Sequence, residues 1–176
     1  MAIKVLFFDT SALLKLFVNE KGTQKIKWLC RSDTRFLHSL HFVINEQVVR
    51  EFKERIDCFV TKGRLSREKG EHIKSQFFKF YEGKMFRVIG QSIISNTKKE
   101  TSFEEVLEQL SMKEGKDDWD GYHYQSIVNS LAYLGGESEP ILVTADGRFG
   151  NKVGRTGYRV INPLKQSKSE IESIIA

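Results

Sequence analysis

The stretch Ile3–Ser11, IKVLFFDTS, decides how the rest of the chain is read. After Lys4, four apolar residues, Val5–Phe8, follow one another until Asp9, the pattern of a strand buried on both faces in a parallel sheet. Thr10 and Ser11 then stand where they can cap a helix in which Leu13, Leu14, Phe17 and Val18 recur at helical spacing. Strand, tight turn and helix form the first half of a βαβ unit. The stretch therefore predicts an α/β domain with this strand at its centre.

Outward from it, the pattern repeats. TQKIKWLCR reads as an amphipathic helix, RFLHS as a short strand, and HFVINEQVVREFKERI as a helix with Phe42, Val49, Phe52 and Ile56 on one stripe. Residues 57–115 are mostly helical and highly charged, with MFRVIG as a strand among them. DGYHYQSIVNSLAYLGG then carries a stripe of Tyr124, Ile127, Val128 and Leu131 and closes on Gly135 and Gly136. PILVTAD is a second buried strand ending in aspartate, YRVINP a last strand stopped at Pro163, and SKSEIESIIA a short terminal helix or a mobile tail. The expected architecture is a single three-layer α/β/α domain with a mainly parallel central sheet. It spans residues 1–163, with 57–115 as an enlarged helical segment and 164–176 as a C-terminal tail or short helix.

Composition agrees with one compact domain. The chain has 176 residues, 40% of them apolar and 29% charged, and its thirteen phenylalanines supply bulky core material. A formal charge of +5 leans toward an anionic partner such as nucleic acid. Cys30 and Cys58 lack metal-ligand spacing and read as reduced thiols. The N-terminal apolar run is too short for a secretory signal or a membrane span, so a cytoplasmic protein without a membrane partner is expected.

If the strands are parallel, Asp9 and Asp146 emerge from the same edge of the sheet, where such folds place their sites. Each could instead simply cap the following helix. Glu46, one turn into its expected helix, lies at the margin of the apolar stripe and could reach that edge or face solvent. Asp117, Asp118 and Asp120 crowd the start of a late helix, where negative charge suits the helix dipole. Three acids exceed what one cap needs, and gathering them near Asp9 and Asp146 costs repulsion unless a cation compensates. An all-carboxylate cluster suits Mg²⁺ or Mn²⁺, whereas zinc would want histidine or cysteine at recognisable spacing. Metal-held carboxylates can activate water against a phosphodiester, and the positive charge suits a polyanionic substrate. A haloacid-dehalogenase nucleophile would need a second aspartate where Ser11 stands. The acidic pair of a receiver domain is also missing, as is any glycine-rich phosphate loop. His123, beside an apolar stripe, reads as structural.

Taken together, FFDTSALLKLF, INEQVVREF, DGYHYQSI and LVTADGRF resemble PIN domains, the metal-dependent ribonucleases that include the VapC toxins of toxin–antitoxin pairs. The resemblance spans nearly the whole chain by order of motifs. It implies a catalytic and metal-binding set of Asp9, Glu46, Asp120 and Asp146, with Asp118 as a further metal ligand and Asp117 in support. Thr10, Ser11 and Thr144 would orient these acids through hydrogen bonds. Lys15, Arg148, Lys152 and Arg155 are candidates for holding RNA. The implied cofactor is Mg²⁺ or Mn²⁺, and the implied partners are RNA, a small antitoxin protein and a second copy of the chain. The enlarged segment 57–115 departs from compact toxin versions and leaves a catalytically inactive, PIN-like RNA-binding or interaction module as the alternative.

Overall fold

A computed structural model describes residues 3–83, 85–89, 101–115, 118–134 and 138–176. Five strands, β1 (Ile3–Phe8), β2 (Leu40–Asn45), β3 (Arg87–Ile89), β4 (Ser138–Val143) and β5 (Arg159–Ile161), form an all-parallel sheet in the order β3-β2-β1-β4-β5. β1 is central, pairing Lys4 to Leu40 through Phe7 to Val43 on one side and Ile3 to Ser138 through Phe8 to Val143 on the other. Its alternation explains the unbroken apolar run. Leu6 and Phe8 enter one core, whereas Val5 and Phe7 enter the other.

The first core is covered by α1 (Thr10–Phe17), α2 (Thr23–Leu29), α4 (Glu46–Thr61), α5 (Arg67–Glu82) and α9 (Lys168–Ile175), with α3 (Ser32–Leu37) leading into β2. The second is covered by α6 (Phe103–Gln109), α7 (Asp118–Leu134) and α8 (Gly147–Arg155). The fold is thus a three-layer α/β/α domain. Phenylalanines dominate the first core: Phe8 meets Phe42 edge-on at 5.4 Å, and Phe52 stacks on Phe77 at 4.2 Å to join α4 to α5. α5, within the charged middle segment, is therefore anchored by aromatic packing, with most of its charged residues exposed. A side chain at Gly70 would meet Val60 at 2.6 Å, so glycine lets α5 approach α4.

Two expectations change, and one alternative is resolved. RFLHS is not a strand: Arg35 and Leu37 belong to α3, Ser39 turns with φ of 50°, and β2 begins at Leu40. HFVIN is consequently strand and not helix, because Phe42 and Ile44 enter one core and Val43 the other, a two-residue alternation that Phe42 only mimicked as part of a helical stripe. Of the two alternatives for residues 164–176, the structure takes the short helix. Ser167 and Glu170 form a capping box for α9, Ile171 and Ile175 are buried, and Lys4 Nζ donates to the Ile175 carbonyl at 2.7 Å. Burying two isoleucines contributes ~1.5–3 kcal/mol each.

Tyr124 and Ile127 bury as the late-helix stripe requires. The Leu131 side chain, Gly135 and Gly136 lie outside the described residues. Cys30 and Cys58 are both free thiols, and burial pushes the Cys30 thiol up, away from thiolate chemistry. No helix among the described residues is long and apolar enough to cross a membrane.

Candidate functional site

Because every strand is parallel, the carboxyl ends open on one edge. Asp9 follows β1, Asn45 ends β2, and Thr144 and Asp146 follow β4. Asp9, not Thr10 or Ser11, caps α1: its Oδ1 accepts from the Ala12 N–H at 3.0 Å and from the Ser11 hydroxyl at 2.7 Å, and its Oδ2 accepts from the Thr144 hydroxyl. Ser11 Oγ accepts in turn from the N–H groups of Ala145 at 2.8 Å and Asp146 at 3.1 Å, while Thr144 Oγ1 accepts from the Asp146 N–H at 3.0 Å. The two strand-end turns are stitched into one corner. Burial nonetheless raises the Asp9 carboxyl above its ordinary range, outweighing the lowering by Thr144, His123, Ser11 and the Ala12 amide.

Asp146 is exposed and caps α8, with Oδ1 accepting from the N–H groups of Arg148 at 2.7 Å and Phe149 at 2.9 Å. Capping and placement at the common edge thus coincide in both aspartates. One carboxylate serves the helix terminus while standing at the site.

A second group of side chains comes from α4 and α7. Asn45 caps α4 through Oδ1 to the Val48 N–H at 2.8 Å, and its amide nitrogen donates to Ser126 at 2.8 Å and to His123 Nδ1 at 3.2 Å. With Nδ1 accepting, Nε2 carries the proton toward the Glu51 carboxylate at 3.3 Å. His123 is thus neither a surface residue nor mere packing; it ties β2, α4 and α7 together. Glu51 also pairs with Arg55 at 3.1 Å. Burial would raise the Glu51 carboxyl, but hydrogen bonding to His123 and Thr10, electrostatic attraction to the His123 Nε2–H, and hydrogen bonding to Arg55 outweigh it and hold the group at about 2. The buried Thr10 hydroxyl is close enough to lower Glu51 but has no well-formed hydrogen bond of its own.

Asp120 joins the two groups. Half-buried in the first turn of α7, it is pushed up to about 6 by burial and then by Asp146, with Asp9 and Glu51 adding repulsion and His123 opposing it. Acids from β1, α4, α7 and β4 therefore share one field. Among the described residues no three of them converge tightly enough to form a ready-made metal site; they stand in electrostatic rather than coordinating proximity. The donor chemistry, four carboxylates with the orphaned Thr10 hydroxyl alongside, fits a hard divalent cation and no thiolate-seeking metal.

Glu46 is not among these acids. It opens α4 fully exposed, and at 100° per residue it points about 140° away from Glu51. The resemblance implies Glu46, whereas the residues the structure gathers at the edge are Glu51, His123 and Asn45. The available signal was Asn45 as a cap ending a β-rich run, which fixes the helix start. Asp118 accepts from the Gly115 N–H at 2.7 Å, closing a local turn. Asp117 lies outside the described residues. Of the cations, Lys15 is buried and paired with Glu20 at 3.4 Å, and Lys152 donates to the Ser111 carbonyl at 2.9 Å. Arg148 and Arg155 are exposed on α8.

The architecture and edge define a parallel α/β domain with an acidic site at the strand ends. No family model matches the chain, and no curated protein does. Among solved structures, the chain is similar to PAE2754 from Pyrobaculum aerophilum, with a TM-score of 0.51 and 17% identity over 98% of this chain and 92% of that one. That likeness is one of fold.

Proposed function

We propose that the chain is a metal-dependent ribonuclease that hydrolyses RNA phosphodiester bonds at the carboxyl edge of the sheet. The observation that carries the reading is Asp120, whose carboxyl is held up at about 6 by burial and by Asp146, Asp9 and Glu51, a convergence of acids that a cation would relieve. Asp9, Glu51, Asp120 and Asp146 would hold Mg²⁺ or Mn²⁺. Once bound, such an ion supplies charge neutralisation at the phosphodiester and an acidified water.

The chain's own residues prepare this site. Ser11 and Thr144 orient Asp9 and lock the β1 and β4 turns together. His123 and Thr10 keep Glu51 ionised. In a toxin–antitoxin setting the partner is a small antitoxin encoded beside this chain.

The second reading is a PIN-like RNA-binding or interaction module without cleavage. It is favoured by the engagement of both Asp9 oxygens in hydrogen bonds, which leaves that acid committed to structure. Cleavage of end-labelled RNA with added Mn²⁺ or Mg²⁺ separates the two. The nuclease reading expects a loss of at least about 100-fold in Asp9→Asn and Asp120→Asn. Equal activity in the native chain and both variants would sink the proposed site.

A further inference from the structure

Two depressions flank the loop that follows β5. One, of about 320 Å³, lies between α1 and α4, and its cations are cancelled: Lys15 pairs with Glu20, and Arg55 with Glu51. The other, of about 460 Å³, lies between α8 and residues 160–166. Its wall contains Arg155 and Lys165 and no acid, and among the described residues neither cation is ion-paired. The Lys165 ammonium touches only the Asn151 side-chain oxygen, at 3.5 Å. Uncompensated positive charge in a concave, partly polar wall is the chemistry of a phosphate subsite.

The groove also begins at the acidic edge. A side chain on Gly147, the residue after Asp146, would stand 3.1 Å from Lys165 Nζ. From there α8 advances ~12 Å to Arg155 along the groove. Gly150 is explained by packing, because a side chain there would meet Thr144 at 3.0 Å and Val160 at 3.2 Å. Gly154 is not: a Cβ there meets only Val160, at an ordinary 3.8 Å, although glycine inside a helix costs stability. Gly154 lines the groove, so a large side chain there would occupy it.

We infer that the groove between α8 and residues 160–166 carries the phosphodiester backbone of single-stranded RNA away from the acidic edge, with Lys165 and Arg155 as its phosphate contacts. RNA as the polyanion rests on the ribonuclease reading; the groove's geometry and charge do not.

The test is fluorescence anisotropy of a labelled, unstructured oligoribonucleotide in EDTA, where cleavage is stopped, across a salt series. Lys165→Gln with Arg155→Gln should raise Kd at least about tenfold and flatten the slope of log K against log salt by about 1.4, the value for two phosphate contacts on a single strand. Gly154→Leu should raise Kd by a similar factor with the slope unchanged and the melting temperature equal or higher, whereas Gly154→Ala should bind as the native chain does. Native-like binding by both the double variant and Gly154→Leu overturns the groove, as does a native chain that fails to bind the oligonucleotide. Metal-dependent cleavage that Asp120→Asn abolishes, alongside native-like binding by the groove variants, overturns the groove and leaves the nuclease reading standing. Weakened binding in the groove variants, with no cleavage by any chain, supports the groove and overturns the nuclease reading.

Discussion

The acidic edge has two halves built by different means. The corner of Asp9, Ser11, Thr144 and Asp146 consists of residues at or just past strand ends, and its closing bond from Thr144 to Asp9 spans 135 residues of sequence. The other half, Glu51 with His123, joins two helices across only 72 residues. The longer-range half was the more legible. A residue that ends a strand must emerge at the sheet edge wherever its partner strand lies in the sequence. A residue on a helix points where the rotation of that helix sends it.

The sharpest test of this contrast lies within α4. Glu51→Gln should lower metal-dependent RNA cleavage by about 100-fold, whereas Glu46→Gln should leave it within about twofold. The reverse order in a gel-based cleavage assay would return the site to the exposed flank of the helix.

At the corner, Thr144→Val keeps the shape of a fully buried side chain and removes the hydroxyl that donates to Asp9. A buried carboxylate losing a donor costs about 2 kcal/mol, read as a shift of the urea midpoint at unchanged slope. A variant as stable as the native chain would show that the corner is not held by its hydrogen bonds.

Asp120, shared by both halves, gives a pH signature. Its folded carboxyl, at about 6, lies above its ordinary 3.8, so the folded state binds the proton more tightly than the unfolded one. Its contribution is most favourable below the ordinary value and is lost as pH rises through about 6. Without divalent ions, the native melting temperature at pH 5 should therefore exceed that at pH 7 by about 2–4 °C more than it does in Asp120→Asn, half-burial screening the rest. Added Mn²⁺ at pH 7 should raise the native melting temperature and leave that of the variant nearly unmoved.

Glu51 should show the opposite sign. Held at about 2 against an ordinary 4.5, it stabilises the fold above 4.5 and loses that contribution as pH falls toward 2. His123→Gln removes the largest lowering influence and should move the acid-unfolding midpoint upward by a few tenths of a pH unit in a circular-dichroism titration. An unmoved midpoint would mean that Glu51 is held by Arg55 and Thr10 instead.

The central strand and the late strand leading to Asp146 are legible because each is an apolar run closed by an aspartate that caps the next helix, and the first helix is legible from that cap and its apolar stripe. The start of α4 was misplaced because Phe42 falls on both a helical and a strand period. Only the pairing of β2 with β1 and β3 shows that Leu40–Asn45 uses the two-residue period. α9 was ambiguous because two buried isoleucines among polar residues bury little apolar area by themselves. They form part of a core only when the first helical layer is present.

By itself the sequence determined the parallel α/β class, the central strand, and the placement of Asp9 and Asp146 at one sheet edge, because an apolar run that ends in an acid puts that acid at the sheet edge. Tertiary structure alone decided that Glu51 rather than Glu46 faces the edge, that His123 joins it there, and that Arg155 and Lys165 share a groove without an acid. The physical reason is rotational. Phe52 packed on Phe77 and Val48 packed below β2 set the angle of α4 about its own axis, and that angle is a property of the assembled core.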